Sequence, residues 1–304
     1  MLEKKRKIVL LDGGMGQELI KRSKSPPHSL WSSYVLMHEP EIVEQVHVDF
    51  INAGARIITL NTYTATPERL NRDGADGMFD ELQNKALEVA QRARDRCKKD
   101  VRIAGCLPPL YGSYKPQAAP SLNECVERYN TIANKQAPNV DLFLCETMSS
   151  IKEAEAAIKA ATFHNRETWC CLSIKDDNTA TLRSNEKLTD AISRLKTFNH
   201  HANLLNCSTP ESISNSINLL RKDTKQFGAY ANGFTSVDSL EIGGTVDVLE
   251  KRVDLSPKSY SEQVFIWLEK GASIIGGCCE ISPAHIQYIS EMLTDLDYEI
   301  TDSF

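Results

Sequence analysis

A chain of 304 residues, 41% hydrophobic and 25% charged, can bury a large core as one α/β barrel or two ordinary domains. A net charge of −6 excludes a basic nucleic-acid face, and the small cationic clusters at Lys4 to Lys7 and Lys21-Arg22 read as solvated. The apolar run Ile8 to Leu11 is stopped by Asp12, too short for a signal peptide, and no run approaches the ~20 residues of a membrane span, so a cytoplasmic protein with no membrane partner is expected.

Lys7 to Leu11 reads as a short buried strand ending in Asp12-Gly13-Gly14. A long connection holding Pro26, Pro27 and Trp31 follows, then a helix from about Glu39 to Ala53 with Pro40 in its first turn. Arg56 to Tyr63 reads as the second strand and Phe79 to Cys97 as its helix. Further strands are expected at Val101 to Cys106, Val140 to Cys145, Thr168 to Ile174, Asn203 to Asn206, Gln226 to Ala231 and Ser273 to Ile275. Helices at Leu122 to Gln136, Ile151 to Phe163, Lys187 to Phe198, Pro210 to Lys222, Tyr260 to Lys270 and Pro283 to Leu296 alternate with them. The strands are continuous apolar runs, which means burial on both faces and a parallel sheet. Eight strand and helix pairs without a linker predict one (β/α)8 TIM barrel, a single domain over residues 1–304.

In such a barrel, chemistry belongs at the C-terminal ends of the strands, where Asp12, Asn61 to Tyr63, Cys106, Cys145-Glu146, Cys207 and Cys278-Cys279 fall. Nine cysteines, an odd number without a disulfide-framework spacing, read as reduced thiols and ligands. Successive side chains on a strand point to opposite faces, so Cys278 and Cys279 can share one ion only where the strand has ended and the chain turns. Gly276 and Gly277, free to take positive φ, are expected to supply that turn. Cys207 ends the sixth strand and the pair ends the eighth, and even strands feed the same barrel layers. Each cysteine site is followed by a short turn and a helix start, Thr209-Pro210 or Ser282-Pro283, which favours a thiolate. Three soft sulfurs suit Zn2+ with a fourth position open; Cys145, Cys106 or His285 closing that position is the structural alternative.

Asp12-Gly-Gly-Met-Gly16, Asn61-Thr-Tyr63, Glu146-Thr147, Asn206-Cys207 and Gly276-Gly-Cys-Cys279 resemble, in that order and over nearly the whole chain, the motifs of the zinc-dependent homocysteine S-methyltransferase family. The chain is most similar to the short stand-alone members that use S-methylmethionine. The resemblance implies a barrel in which Cys207, Cys278 and Cys279 hold zinc and the homocysteine sulfur is the fourth ligand. It implies that Asp12 and Glu146 hold the substrate ammonium while amides around Gly14 and Met15 face its carboxylate. Trp31 and Tyr63 match aromatic positions suited to a cationic methyl donor, with Tyr111 and Tyr114 as weaker matches. S-adenosylmethionine or betaine as donor, another small thiol or selenol as acceptor, and a zinc–thiol redox sensor are the alternatives.

Two stretches depart from the family pattern. Glu280-Ile281 follows the cysteine pair where Gly-Thr or a similar small pair is usual, and Tyr230-Ala-Asn-Gly-Phe234 replaces Tyr-Pro-Asn and its small residues. Both are expected to face the donor. The connection from Gly233 to Ser259 is longer than a barrel loop needs and reads either as a lid over the donor pocket or as an ordinary solvated excursion.

Overall fold

In the computed structural model, which describes residues 5–26, 28–222 and 226–304, nine parallel strands and eleven α-helices alternate along the chain. Lys4 and Pro27, named above, lie outside the described residues. The strands are β1 (Lys7–Leu10), β2 (Ile57–Thr59), β3 (Arg102–Leu107), β4 (Leu142–Met148), β5 (Glu167–Leu172), β6 (Ala202–Asn206), β7 (Gln226–Tyr230), β8 (Ile274–Ile275) and β9 (Glu299–Thr301). Between them lie α1 (Met15–Arg22), α2 (Ser32–His38), α3 (Pro40–Ala53), α4 (Pro67–Arg72), α5 (Phe79–Cys97), α6 (Leu122–Gln136), α7 (Ile151–Thr162), α8 (Leu188–Leu195), α9 (Pro210–Ser216), α10 (Pro257–Glu269) and α11 (Pro283–Asp295).

The sheet runs in the order β2-β3-β4-β5-β6-β7-β8-β1-β9. It closes on itself where Leu11 bridges Ile57, with the Arg56 N–H donating to Leu10 O at 2.8 Å and the Asp12 N–H to Ile57 O at 3.0 Å. The expected barrel is therefore formed, with β9 added beside the first residues of β1 at the opposite rim. Alternation along each strand makes two cores. Val9, Leu11, Ile57, Leu142, Leu144, Leu204 and Ile274 fill the interior, while Ile8, Leu10, Phe143, Cys145 and Leu205 pack outward under the helices. No helix is long and apolar enough to cross a membrane among the described residues.

Several boundaries differ from the sequence reading. The second strand ends at Thr59, not Tyr63, because the chain leaves the ladder through close turns, Thr62 N–H to Leu60 O and Ala65 N–H to Thr62 O. The long connection before α3 contains α1 and α2, whose first residues, Gly-Met-Gly and Trp-Ser-Ser, read locally as turn chemistry. The helix expected through Lys222 tightens after Ser216 into a 3-10 turn over Ile217–Lys222. Strand β9 is three residues long, short enough to leave little periodicity to read.

Candidate active site

The three expected metal ligands converge. The sulfurs of Cys207, Cys278 and Cys279 all lie within 4.8 Å of one another, with Cys278 Sγ 2.7 Å and Cys279 Sγ 3.9 Å from Cys207 Sγ. Local backbone accounts for this. After β8, the Gly277 N–H donates to Asp12 O on the β1 side and the Cys278 N–H to Ala231 O on the β7 side. The Ile281 N–H then bonds back to Cys278 O at 3.1 Å and closes a four-residue turn. Left-handed backbone is taken by Cys207 (φ 50°) and Glu280 (φ 65°), not by Gly276 or Gly277. The two glycines serve closeness instead: a Cβ would stand 2.6 Å from Leu11 Cβ at position 276 and 2.2 Å from Ile281 Cγ2 at 277. Glu280 thus sits in a conformation that glycine adopts freely.

Charge at this cluster is unbalanced without a cation. Burial disfavours the Cys207 thiolate, but hydrogen bonds from Cys278, Cys279 and Tyr114 outweigh it and hold its pKa well below that of a free thiol. That sharing, with burial, pushes Cys278 and Cys279 well up. Three buried sulfurs facing one another cannot all be anionic unless a positive ion sits among them. No fourth protein ligand joins them among the described residues. Cys145 points into the outer core, Cys106 donates its thiol to Glu146 Oε2 at 3.1 Å, and His285 caps α11 and meets Leu255 O. The closed structural site is thus not built.

A cavity of about 100 Å³ opens beside the sulfurs, lined by every other residue expected to bind substrate: Asp12, Gly14, Met15, Trp31, Tyr63 and Glu146. The Asp12 carboxylate accepts from the Thr59 N–H at 2.7 Å and the Thr59 hydroxyl at 3.2 Å. Burial, with the Glu146 charge nearby, raises its pKa to about 8 despite those bonds. Burial likewise raises Glu146 to about 7 against hydrogen bonds from Cys106 and Tyr230. Two carboxyls this buried, with no cation paired to either among the described residues, suit a ligand that brings its own positive charge.

Other expectations need correction. The Gly14 N–H is taken by Ile281 O and the Met15 N–H by Gly13 O, so neither is free for a carboxylate. The donors left at that wall are the next amides of the first turn of α1, the Gln17 side chain and Trp31 Nε1. Both amide atoms of Gln17 and the indole nitrogen of Trp31 are buried without a protein partner. Gln17 lies near enough to Cys279 to favour its thiolate, yet no bond of ordinary geometry joins them. One face of Tyr63 is covered by Arg69, 5.2 Å from the ring centre, and Trp31 meets the Tyr63 ring edge-on. Trp31 also lies flat on α1, where a Cβ at Gly16 would come within 2.1 Å of the indole. Tyr111 carries Arg128 and does not line the cavity. Glu280 turns away from it toward Lys251 at 2.8 Å and Lys21 at 3.8 Å, and of the stretch Tyr230 to Phe234 only Tyr230 lines it, so the residues that depart from the family pattern do not line this cavity.

Sequence reasoning underrated Tyr114, whose hydroxyl is 2.9 Å from Cys207 Sγ under the Arg183 guanidinium, and missed Gln17, Thr59 and Tyr230. Four cavity residues other than glycine, Trp31, Tyr114, Thr147 and Cys207, have positive φ. Such strain concentrates where structure is held for function. In sequence, Gln17, Thr59 and Tyr230 do not differ from ordinary aromatic or polar residues.

The family model of homocysteine S-methyltransferase matches residues 9–293. A homocysteine S-methyltransferase of Bacillus subtilis is 28% identical over 93% of this chain and 93% of its own, and the selenocysteine methyltransferase of Astragalus bisulcatus is 26% identical over 95% and 93%. The crystal structure of the homocysteine methyltransferase MmuM from Escherichia coli in its metallated form superposes with a TM-score of 0.79, at 25% identity, over 94% of this chain and 96% of that one. Matched along almost its full length, in sequence and in fold, the chain belongs to the homocysteine S-methyltransferase family.

Proposed function

We propose that this protein transfers a methyl group from a sulfonium donor, S-methylmethionine, to the sulfur of homocysteine, with zinc held by Cys207, Cys278 and Cys279. The observation that carries the reading is the trio of sulfurs, without a fourth protein ligand, at the wall of a cavity that also holds two cation-seeking carboxyls. The donor set fits zinc: three soft sulfurs, one of them already favoured as thiolate. When bound, zinc supplies the positive charge that keeps a substrate thiol deprotonated at neutral pH.

The chain's residues bind and orient around that point. Asp12 and Glu146 take up the substrate ammonium, each losing its proton as the cation arrives. The first turn of α1, with Gln17 and Trp31, receives the carboxylate, the role first expected of Gly14 and Met15. Tyr114 and Arg183 hold Cys207 in its left-handed turn. Trp31, Tyr63 and Tyr114 wall the cavity toward the donor and keep water from the sulfonium. The substrate thiolate attacks the methyl carbon, and the carbon–sulfur bond of the donor breaks with its electron pair left on the departing sulfur. S-methylmethionine then yields methionine from both partners.

The test is metal content and turnover together. Purified protein is expected to carry about one zinc per chain, and Cys207→Ser to lose both zinc and methyl transfer while keeping its far-ultraviolet dichroism. Full activity from zinc-free protein would contradict the reading. The likeness to a selenocysteine methyltransferase favours selenols as further acceptors, which initial rates with homocysteine and selenohomocysteine side by side decide.

A further inference from the structure

Beyond the cavity lies a second chamber. The two share Trp31, Tyr63, Ser113, Leu240 and Val246, and the second adds Arg69, Arg72 and Glu241. Arg69 is the unusual member. Its side chain is buried, at 6% exposure, and it forms no ion pair among the described residues. One Nη donates to Pro109 O at 2.9 Å, while Nε is buried with no partner at all. The charges around it do not help. The neighbouring Arg72 has the same sign, and Glu68, next in sequence, is engaged by Arg128 at 2.8 Å. Arg72 itself is neutralised by Asp73, so the deficit belongs to Arg69 alone.

A guanidinium is almost never buried without an anion, because the charge gives up hydration for nothing. Burial depresses the Arg69 pKa, the sign of an uncompensated charge. A core position would resolve the problem with an apolar residue, whereas a chamber wall can leave the anion to a ligand. The acceptor amino acid does not supply it, since Asp12, Glu146 and α1 occupy the other cavity. Arg69 lies over the face of Tyr63, 5.2 Å from the ring centre, and Tyr63 is a wall common to this chamber and the cavity that holds the sulfurs.

We propose that the second chamber is the subsite for the carboxylate of the methyl donor, with Arg69 as its ligand. This rests on the methyl-transfer reading above and narrows it: the donor carries a carboxylate on a chain long enough to pass Tyr63 while its sulfonium stays at the sulfurs. S-methylmethionine meets that description and betaine, with its carboxylate beside the cation, is too short.

The test compares donors on the zinc-loaded protein with homocysteine present. Probes are S-methylmethionine and its decarboxylated analogue, an aminopropyl dimethylsulfonium, read by calorimetric affinity and by KM and kcat. Wild type is expected to bind S-methylmethionine at least about tenfold more tightly than the analogue. Arg69→Met should lose about tenfold or more of the S-methylmethionine affinity, leave the analogue and the homocysteine KM unchanged, and melt no lower than wild type when unliganded. Arg69→Lys, which keeps the charge, should recover part of the loss. Equal wild-type affinity for both donors would overturn the subsite, and needs no variant to fold. So would an Arg69→Met loss shared by both donors, which would mark Arg69 as a brace for the Pro109 loop. Methyl transfer by wild type with no donor discrimination would leave the parent reading standing while removing this one. Donor-independent absence of turnover in wild type would remove the parent reading instead.

Discussion

Asp12 shows how much one residue's surroundings decide. In sequence it is the first residue of an Asp-Gly-Gly turn; in the fold it is a buried carboxyl braced by Thr59 and titrating at about 8. Because its folded pKa lies above the unfolded value, the unfolded chain releases the proton first and stability falls as pH rises. For the metal-free protein the Asp12 contribution is intact at about pH 4 and is lost progressively up to about pH 8. Asp12→Asn should flatten that slope, seen as urea midpoints that differ less between about pH 5 and 8 than those of wild type. Ligand binding runs the opposite way, since the ammonium needs the anion. Homocysteine affinity should strengthen as pH climbs through about 7 to 8, and Asp12→Asn should weaken it by about tenfold or more and leave only the rise near pH 7 that belongs to Glu146. An unchanged pH profile in the variant would separate Asp12 from the ammonium.

At the scale of elements, the most exacting contact is between β7 and β8. Gly228 pairs with Ile274, and a Cβ there would stand 1.8 Å from Ile274 O. Backbone cannot yield as a side chain can, so Gly228→Ala should destabilise by about 3 kcal/mol or more, measured by urea unfolding. A wild-type midpoint would refute that packing. The loop from Gly233 to Ser259 builds its own small core from Phe234, Val237, Leu240 and Leu249, with Tyr114 and Cys279 packed against it. Leu240 and Val246 line both chambers, which suits a segment that covers bound substrates. Amide exchange over 234–251 is expected to slow when both substrates bind, and exchange that does not change would dismiss it as a lid. The parallel strands were legible because burial on both faces writes an unbroken apolar run. Helices α1, α2 and α4 were not, because six to eight residues opening on Gly, Ser or Thr carry the same local signals as a turn.

Across the whole molecule, the barrel turns sequence distance into chemistry. Cys207 and Cys278, 71 residues apart in sequence, meet because β6 and β8 deliver their ends to one rim. That convergence could be read from strand order alone, and so could the placement of Asp12 and Glu146 at the same cavity. The remaining walls of the two cavities could not: Gln17, Tyr114 and Arg69 reach them from a helix or loop whose path no periodicity records. The central claim is a three-sulfur metal site kept open for the substrate's own sulfur. Zinc-edge X-ray absorption of the purified protein, before and after homocysteine, tests it most directly. Three sulfurs and one lighter atom around the metal should become four sulfurs when homocysteine is added. A coordination shell that already holds four sulfurs, or one that homocysteine leaves unchanged, would contradict it.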